Sequence, residues 1–211
     1  MFSAPLNKVV VTVDTKYVRN FTSILKMAAI QNNTSIEPAD YVNIIGKVVS
    51  VPKSVSNKRD YAGFSANGLL PGDTVIFSHM VIYDFAQLDP EAEPIYRNCV
   101  WYGGKEYFLA DITHIFAAIR NDKLYMQNGY VMVTDMQTPP KIILSATTKR
   151  NITAYEATVS NVEPGVDYCM GDTIYYNPNK LQLYQINGKP FGILRGRDVL
   201  GKKINSYYQD N

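Results

Sequence analysis

Apolar residues in this chain gather in short runs rich in Val, Ile and Tyr, each closed by turn-forming residues, a pattern of strands and not of helices. Residues 8–13 (KVVVTV) make the first run, between Pro5 and the polar Asp14-Thr15-Lys16, and residues 42–51 (VNIIGKVVSV) make the next. The weakly patterned stretch 14–41 between them carries Asn32-Asn33-Thr34-Ser35 and Pro38. Compact domains seldom leave so long a connection without structure unless it is functional or mobile. Residues 52–70 read as an excursion, after which Pro71-Gly72-Asp73 marks a turn directly before the apolar run 74–77 (TVIF). An acidic, Pro-containing loop at 88–94 precedes a hairpin-like segment, 98–109, bent at Gly103-Gly104. Residues 111–120 (DITHIFAAIR) admit a helical turn leading into an apolar strand, two states that propensity does not separate.

The second half of the chain repeats the first. Residues 129–133 (GYVMV) form a β run opening into a polar, Pro-containing loop at 134–153. Residues 157–162 answer 47–51, and Gly171-Asp172-Thr173-Ile174-Tyr175-Tyr176 answers Gly72-Asp73-Thr74-Val75-Ile76-Phe77. Ile186-Asn187-Gly188-Lys189 answers Tyr102-Gly103-Gly104-Lys105, and residues 193–200 answer 108–116 with one residue fewer. Matches in the same order over both halves identify an internal duplication, with Asn121-Asp122-Lys123 as the polar break. The expected architecture is all-β: one small barrel or sandwich over residues 1–121 and a second over 122–211.

Composition agrees with this picture and narrows the chemistry. With 46% hydrophobic and 19% charged residues among 211, the chain has the balance of a soluble globular protein, and its 16 Tyr favour strands. A net charge of +2 with no basic cluster longer than Lys202-Lys203 makes nucleic acid an unexpected partner. No stretch approaches the roughly 20 apolar residues of a membrane helix, and no signal-like segment opens the sequence. The expected location is therefore the cytoplasm, or the host cytoplasm or virion for a viral chain. Cys99 and Cys169 are too few for a disulfide framework and read as free, buried thiols. His79 and His114 lack triad or metal-ligand spacing. Asp73 and Asp172 recur as turn residues that bond nearby amides. Neither a cofactor, a metal site nor an enzymatic activity is expected.

The order of features resembles the GroES co-chaperonin family in each half. In the second half the resemblance rests on residues 131–133, the polar stretch 134–140, Lys141-Ile142-Ile143-Leu144-Ser145-Ala146-Thr147, then 158–162, Gly171-Asp172-Thr173-Ile174 and 192–200. In the first half it rests on residues 8–13, 46–51, 71–77 and 107–119, with Ser23-Ile24-Leu25-Lys26 as the candidate loop motif. The resemblance implies two tandem, partly open GroES-like β-barrels, each with a long loop after its first strand. It also implies a homo-oligomer that binds and caps a chaperonin ring, its mobile loops docking through Ile142, Ile143 and Leu144 and through Ile24 and Leu25. Seven barrels do not divide into pairs, so a seven-fold ring of intact tandems is excluded by arithmetic. Two other readings stay open on the residues themselves. Ile142 to Leu144 also read as an ordinary strand, and Ile24, Leu25, Ala28 and Ala29 as the apolar face of a short helix. A structural protein built on the same barrels, such as a viral capsid or neck component, is the alternative function.

Overall fold

In the computed structural model, residues 3–13, 44–82, 98–144, 151–186 and 189–203 are described. Among them all regular structure is strand, apart from three-residue 3-10 turns. The chain divides into two compact units, residues 1–128 and 129–211.

Unit 1 contains β1 (Lys8–Val13), β2 (Ile45–Ser50), β3 (Thr74–Phe77), β4 (Cys99–Tyr102), β5 (Lys105–Asp111), β6 (Ile115–Arg120) and β7 (Lys123–Met126). They form one antiparallel sheet in the order β4-β5-β1-β2-β3-β6-β7. Unit 2 contains β8 (Tyr130–Leu144), β9 (Asn151–Val162), β10 (Thr173–Tyr176), β11 (Gln182–Ile186), β12 (Lys189–Arg195) and β13 (Val199–Lys202). Their order is β11-β12-β8-β9-β10-β13, again antiparallel throughout. Strand for strand this is the order of unit 1 without β7, so the duplication read from the sequence is a duplication of topology. Among the described residues each sheet is open, with two edge strands.

The correspondence extends to irregular features. The third strand of each unit has a register shift against its last core strand, at Ile76/Phe77 against β6 and at Tyr175/Tyr176 against β13. A 3-10 turn follows each third strand, His79–Val81 and Pro178–Lys180, with the side chain of Ser78 or Asn177 accepting from the amide two residues on. Another follows β5 and β12, at Ile112–His114 and Gly196–Asp198. The 111–120 segment is thus a helical turn and then a strand.

Alternation decides which side chains enter the cores. Val9, Val11, Val48, Val75, Phe77, Phe108, Ala110, Ile112, Ile115 and Ala118 share one core in unit 1. Val10, on the opposite face, is also fully buried, which explains why β1 is an uninterrupted Val run and not an alternating one. The 52–70 excursion packs Val55, Tyr61, Phe64, Ala66 and Leu69 against this core. Unit 2 has a smaller core of Val131, Val133, Ala157, Val159, Ile174, Tyr176 and Leu194.

Three expectations change. Asn121-Asp122-Lys123 is not the break between the units. Asn121 (φ 49°) and Asp122 (φ 60°) form the two-residue bend of the β6–β7 hairpin, in which Arg120 pairs with Lys123. Two successive positive φ values are what a type I′ turn requires, and Asn and Asp tolerate them best. Residues 123–128 therefore belong with the first unit, and the division falls between Asn128 and Gly129. The loop expected at 134–153 is largely strand, because β8 runs to Leu144 and β9 begins at Asn151. Cys99 is half-buried but Cys169 is exposed, since it sits in the turn before Asp172 and not in a core strand.

Candidate functional site

The second unit carries an arm. β12 pairs with β8 only from Tyr130 to Val133, and β10 pairs with β9 only from Tyr155 to Thr158. β8 and β9 nevertheless stay paired outward to Leu144 and Asn151. From Lys141 and Ala154 outward, among the described residues, the structure is thus a two-stranded ribbon with no third strand beside it. Register shifts between Thr134 and Gln137 and between Gln137 and Lys141 separate the ribbon from the sheet. Asp135 adopts φ 50° in the first of these, and Pro139-Pro140, which lack N–H donors, fall in the second. Such bulges bend and twist a strand, and prolines are admitted there because no ladder donor is lost.

The register gives the strand partners of three of the five candidate residues. Ile142 pairs with Thr153, Ile143 with Ile152, and Leu144 with Asn151. The structure brings Ile142, Ile143 and Leu144 together at the outer end of the ribbon, as successive residues of a strand. Ile24 and Leu25 lie in residues 14–43, outside the described residues. Register makes Ile152, which no sequence motif singles out, the cross-strand neighbour of Ile143. Its signal in the sequence is the alternation Asn151-Ile152-Thr153-Ala154, legible only once the segment is known to be a strand.

Several ionisable groups elsewhere among the described residues have structural partners. Asp73 Oδ2 accepts from the Leu70 amide at 2.8 Å, and Asp172 Oδ2 accepts from the Cys169 amide at 2.7 Å. Each turn is also tied to the second strand of its unit by the same pair of backbone bonds, Gly72 N–H to Val48 O and Val48 N–H to Asp73 O in one, Gly171 N–H to Val159 O and Val159 N–H to Asp172 O in the other. A cation covers each carboxylate. Arg120 donates through Nε and Nη2 to both oxygens of Asp73, each at 2.7 Å, and Lys202 Nζ lies 2.7 Å from Asp172 Oδ2. These bonds hold both carboxyls below the usual carboxylate range, led by Arg120 for Asp73 and by Lys202 for Asp172.

Asp111 caps the Ile112–His114 turn by accepting from Thr113 N and Oγ1, at 3.0 and 2.8 Å, and it accepts from Lys8 Nζ and Tyr61 OH at 3.1 and 2.9 Å. Burial alone would push this carboxyl up, but the bonds from Thr113, Lys8 and Tyr61 outweigh it and hold the value down. Burial, with Glu106 Oε1 3.2 Å away, pushes the Cys99 thiol up to about 12, which suppresses the reactive thiolate. Burial lowers His79, and His114 adds repulsion in the same direction. Among the described residues no group of three or more His, Cys, Asp or Glu is placed to hold a metal ion, and no helix is long and apolar enough to cross a membrane. Among the described residues, the outer ribbon of β8 and β9 is a segment that no third strand supports. No protein-family profile and no curated protein matches this chain.

Proposed function

We propose that this protein is a non-enzymatic co-chaperonin that binds and caps a chaperonin ring, with the arm of unit 2 as its anchor. The observation that carries the reading is the position of the arm: it leaves its sheet between the first and second strands of its unit and bears Ile142-Ile143-Leu144 at its outer end. In unit 1 the same interval, between β1 and β2, is occupied by residues 14–43, which include Ile24 and Leu25. An Ile-Ile-Leu block buries about 250–350 Å² on docking, on the order of 6–9 kcal/mol before ordering costs. A ribbon already paired along β9 gives up less entropy on docking than a free loop. A homo-oligomer belongs to the same proposal. Several weak arms then act together, giving avidity with fast release of each. In its favour, among the described residues β13 ends its sheet at the position that β7 covers in unit 1, and such edges are normally paired or protected.

A second reading, a structural component of a larger assembly, is favoured by one specific observation, the strand pairing of the arm itself. A fixed ribbon suits a permanent contact as well as a reversible one. Co-precipitation of the full chain with a purified chaperonin ring separates the two. Under the co-chaperonin reading the ring is retained, and Ile143→Asp reduces retention by at least about tenfold. Absence of binding, or binding indifferent to Ile143→Asp, would sink that reading and leave the assembly role.

A further inference from the structure

We infer that the open edge of β13 is a strand-acceptor site and that its occupant is residues 207–210 of the same chain, folded back on β13 as β7 folds back on β6. The inference goes beyond the co-chaperonin reading and does not depend on it. The last strands of the two sheets correspond residue for residue. Ile115 starts β6 directly after the Ile112–His114 turn, and Val199 starts β13 directly after the Gly196–Asp198 turn. Ile115 and Ala117 pair with Phe77 and Ile76 across a register shift, and Val199 and Gly201 pair with Tyr176 and Tyr175 across the equivalent one. Lys105 and Lys189, which open β5 and β12, keep the same spacing. The two edges differ in cover. β7 pairs along β6 from Ala117 to Arg120, and Phe116 is 1% exposed. Among the described residues β13 ends its sheet, and Leu200, the counterpart of Phe116, is 40% exposed. An apolar side chain beside an unpaired ladder marks an edge that folded proteins normally cover.

The sequence after β13 supplies the cover. Residues 204–211 lie outside the described residues. The spacing that joins β6 to β13 sets Asn205-Ser206 at the places of Asn121-Asp122, the positive-φ bend of the β6–β7 hairpin, and Tyr207-Tyr208-Gln209-Asp210 at the places of β7. Asn is among the residues that best tolerate positive φ, and successive Tyr residues favour a strand. Register follows from unit 1, where Arg120 pairs with Lys123, Ile119 with Leu124 and Ala118 with Tyr125. By the same spacing Ile204 meets Tyr207, Lys203 meets Tyr208 and Lys202 meets Gln209. Lys203 N–H donates to Thr173 O, and alternation then turns the backbone N–H and C=O of Lys202 to the open edge, opposite Gln209. Asp210 stands where Met126 is buried in unit 1, so the pairing ends at Gln209. A contact between copies through β13 requires this segment to be displaced.

The test uses the full chain, with amide hydrogen exchange resolved to Lys202 and with disulfide trapping. Gln209→Pro removes the N–H that faces Lys202 O. It is expected to speed exchange of the Lys202 amide by at least about tenfold over the unsubstituted chain, while Val131 and Val133 keep their protection. Lys203→Cys with Tyr208→Cys, in a chain that also carries Cys169→Ser, sets two thiols at a non-hydrogen-bonded pair, where facing Cα atoms stand closest. This pair is expected to oxidise within one chain, as a non-reducing gel would register. A Lys202 amide that exchanges as fast in the unsubstituted chain as in Gln209→Pro would overturn the inference. So would a disulfide that forms between two chains, which would assign the edge to a second copy. Neither readout involves a chaperonin ring, so the co-chaperonin reading stands or falls separately.

Discussion

Asp73 and Asp172 close equivalent turns, but the two are not equally demanding. Asp73 is almost wholly buried and is met by the forked guanidinium of Arg120, whereas Asp172 is more open and meets the single ammonium of Lys202. A planar bidentate pair constrains geometry more than a point charge does. The folded-state value of Asp73 is depressed, so its contribution to stability is fully present above the unfolded value of about 3.9 and is lost as pH falls through the folded value. Asp73→Ala is expected to lower stability by about 1–3 kcal/mol at neutral pH, since it also leaves the Leu70 amide without its side-chain acceptor. The difference from the unsubstituted chain should shrink below about pH 4, as urea midpoints taken from pH 7 to pH 3 would register. Gly46 shows a different constraint at the same scale. A Cβ there would stand 2.9 Å from Thr12 O and from Phe77 Cε1, so the close approach of β1 and β2 admits no side chain at that point.

Among the elements, β8 and β9 are the longest, and they divide into a supported and an unsupported part. Near Val131 and Val159 they lie inside a six-stranded sheet over a packed core. Beyond Lys141 and Ala154 they stand as a pair, and an isolated two-stranded ribbon is marginally stable in water. Amide hydrogen exchange should therefore grade along β8. Val131 and Val133 are expected to exchange only through near-global unfolding, and Ile142, Ile143 and Leu144 through local opening, orders of magnitude faster. Equal protection along the whole strand would mean that something covers the arm, and would favour the assembly role. The sequence contains the strand-forming residues of the arm, yet Pro139-Pro140 and the polar stretch before it point to a loop. Pairing with the next strand, β9, outweighs that local signal, because prolines cost little at a bulge.

For the whole molecule, the repeat of strand order places two similar units in one chain and assigns β7 to the first. A fragment ending at residue 121 would expose the edge of β6 and remove Met126, which is buried. A fragment ending at residue 128 keeps both. The longer fragment is expected to unfold cooperatively, and the shorter one to be less stable by about 2–5 kcal/mol and prone to associate through its open edge, measurable by thermal denaturation and light scattering.

The strand runs, the recurring Gly-Asp turns and the all-β duplication were legible in the sequence because each depends on local features: alternation, β-branching and turn chemistry within a few residues. Three matters were decided only by tertiary structure. The Asn121-Asp122 break became a hairpin because the following run pairs backward onto β6. The loop after the first strand of unit 2 became an arm because β9 supplies the partners that β8 lacks locally. Ile152 became the cross-strand neighbour of Ile143 because register is a relation between residues brought together only by pairing.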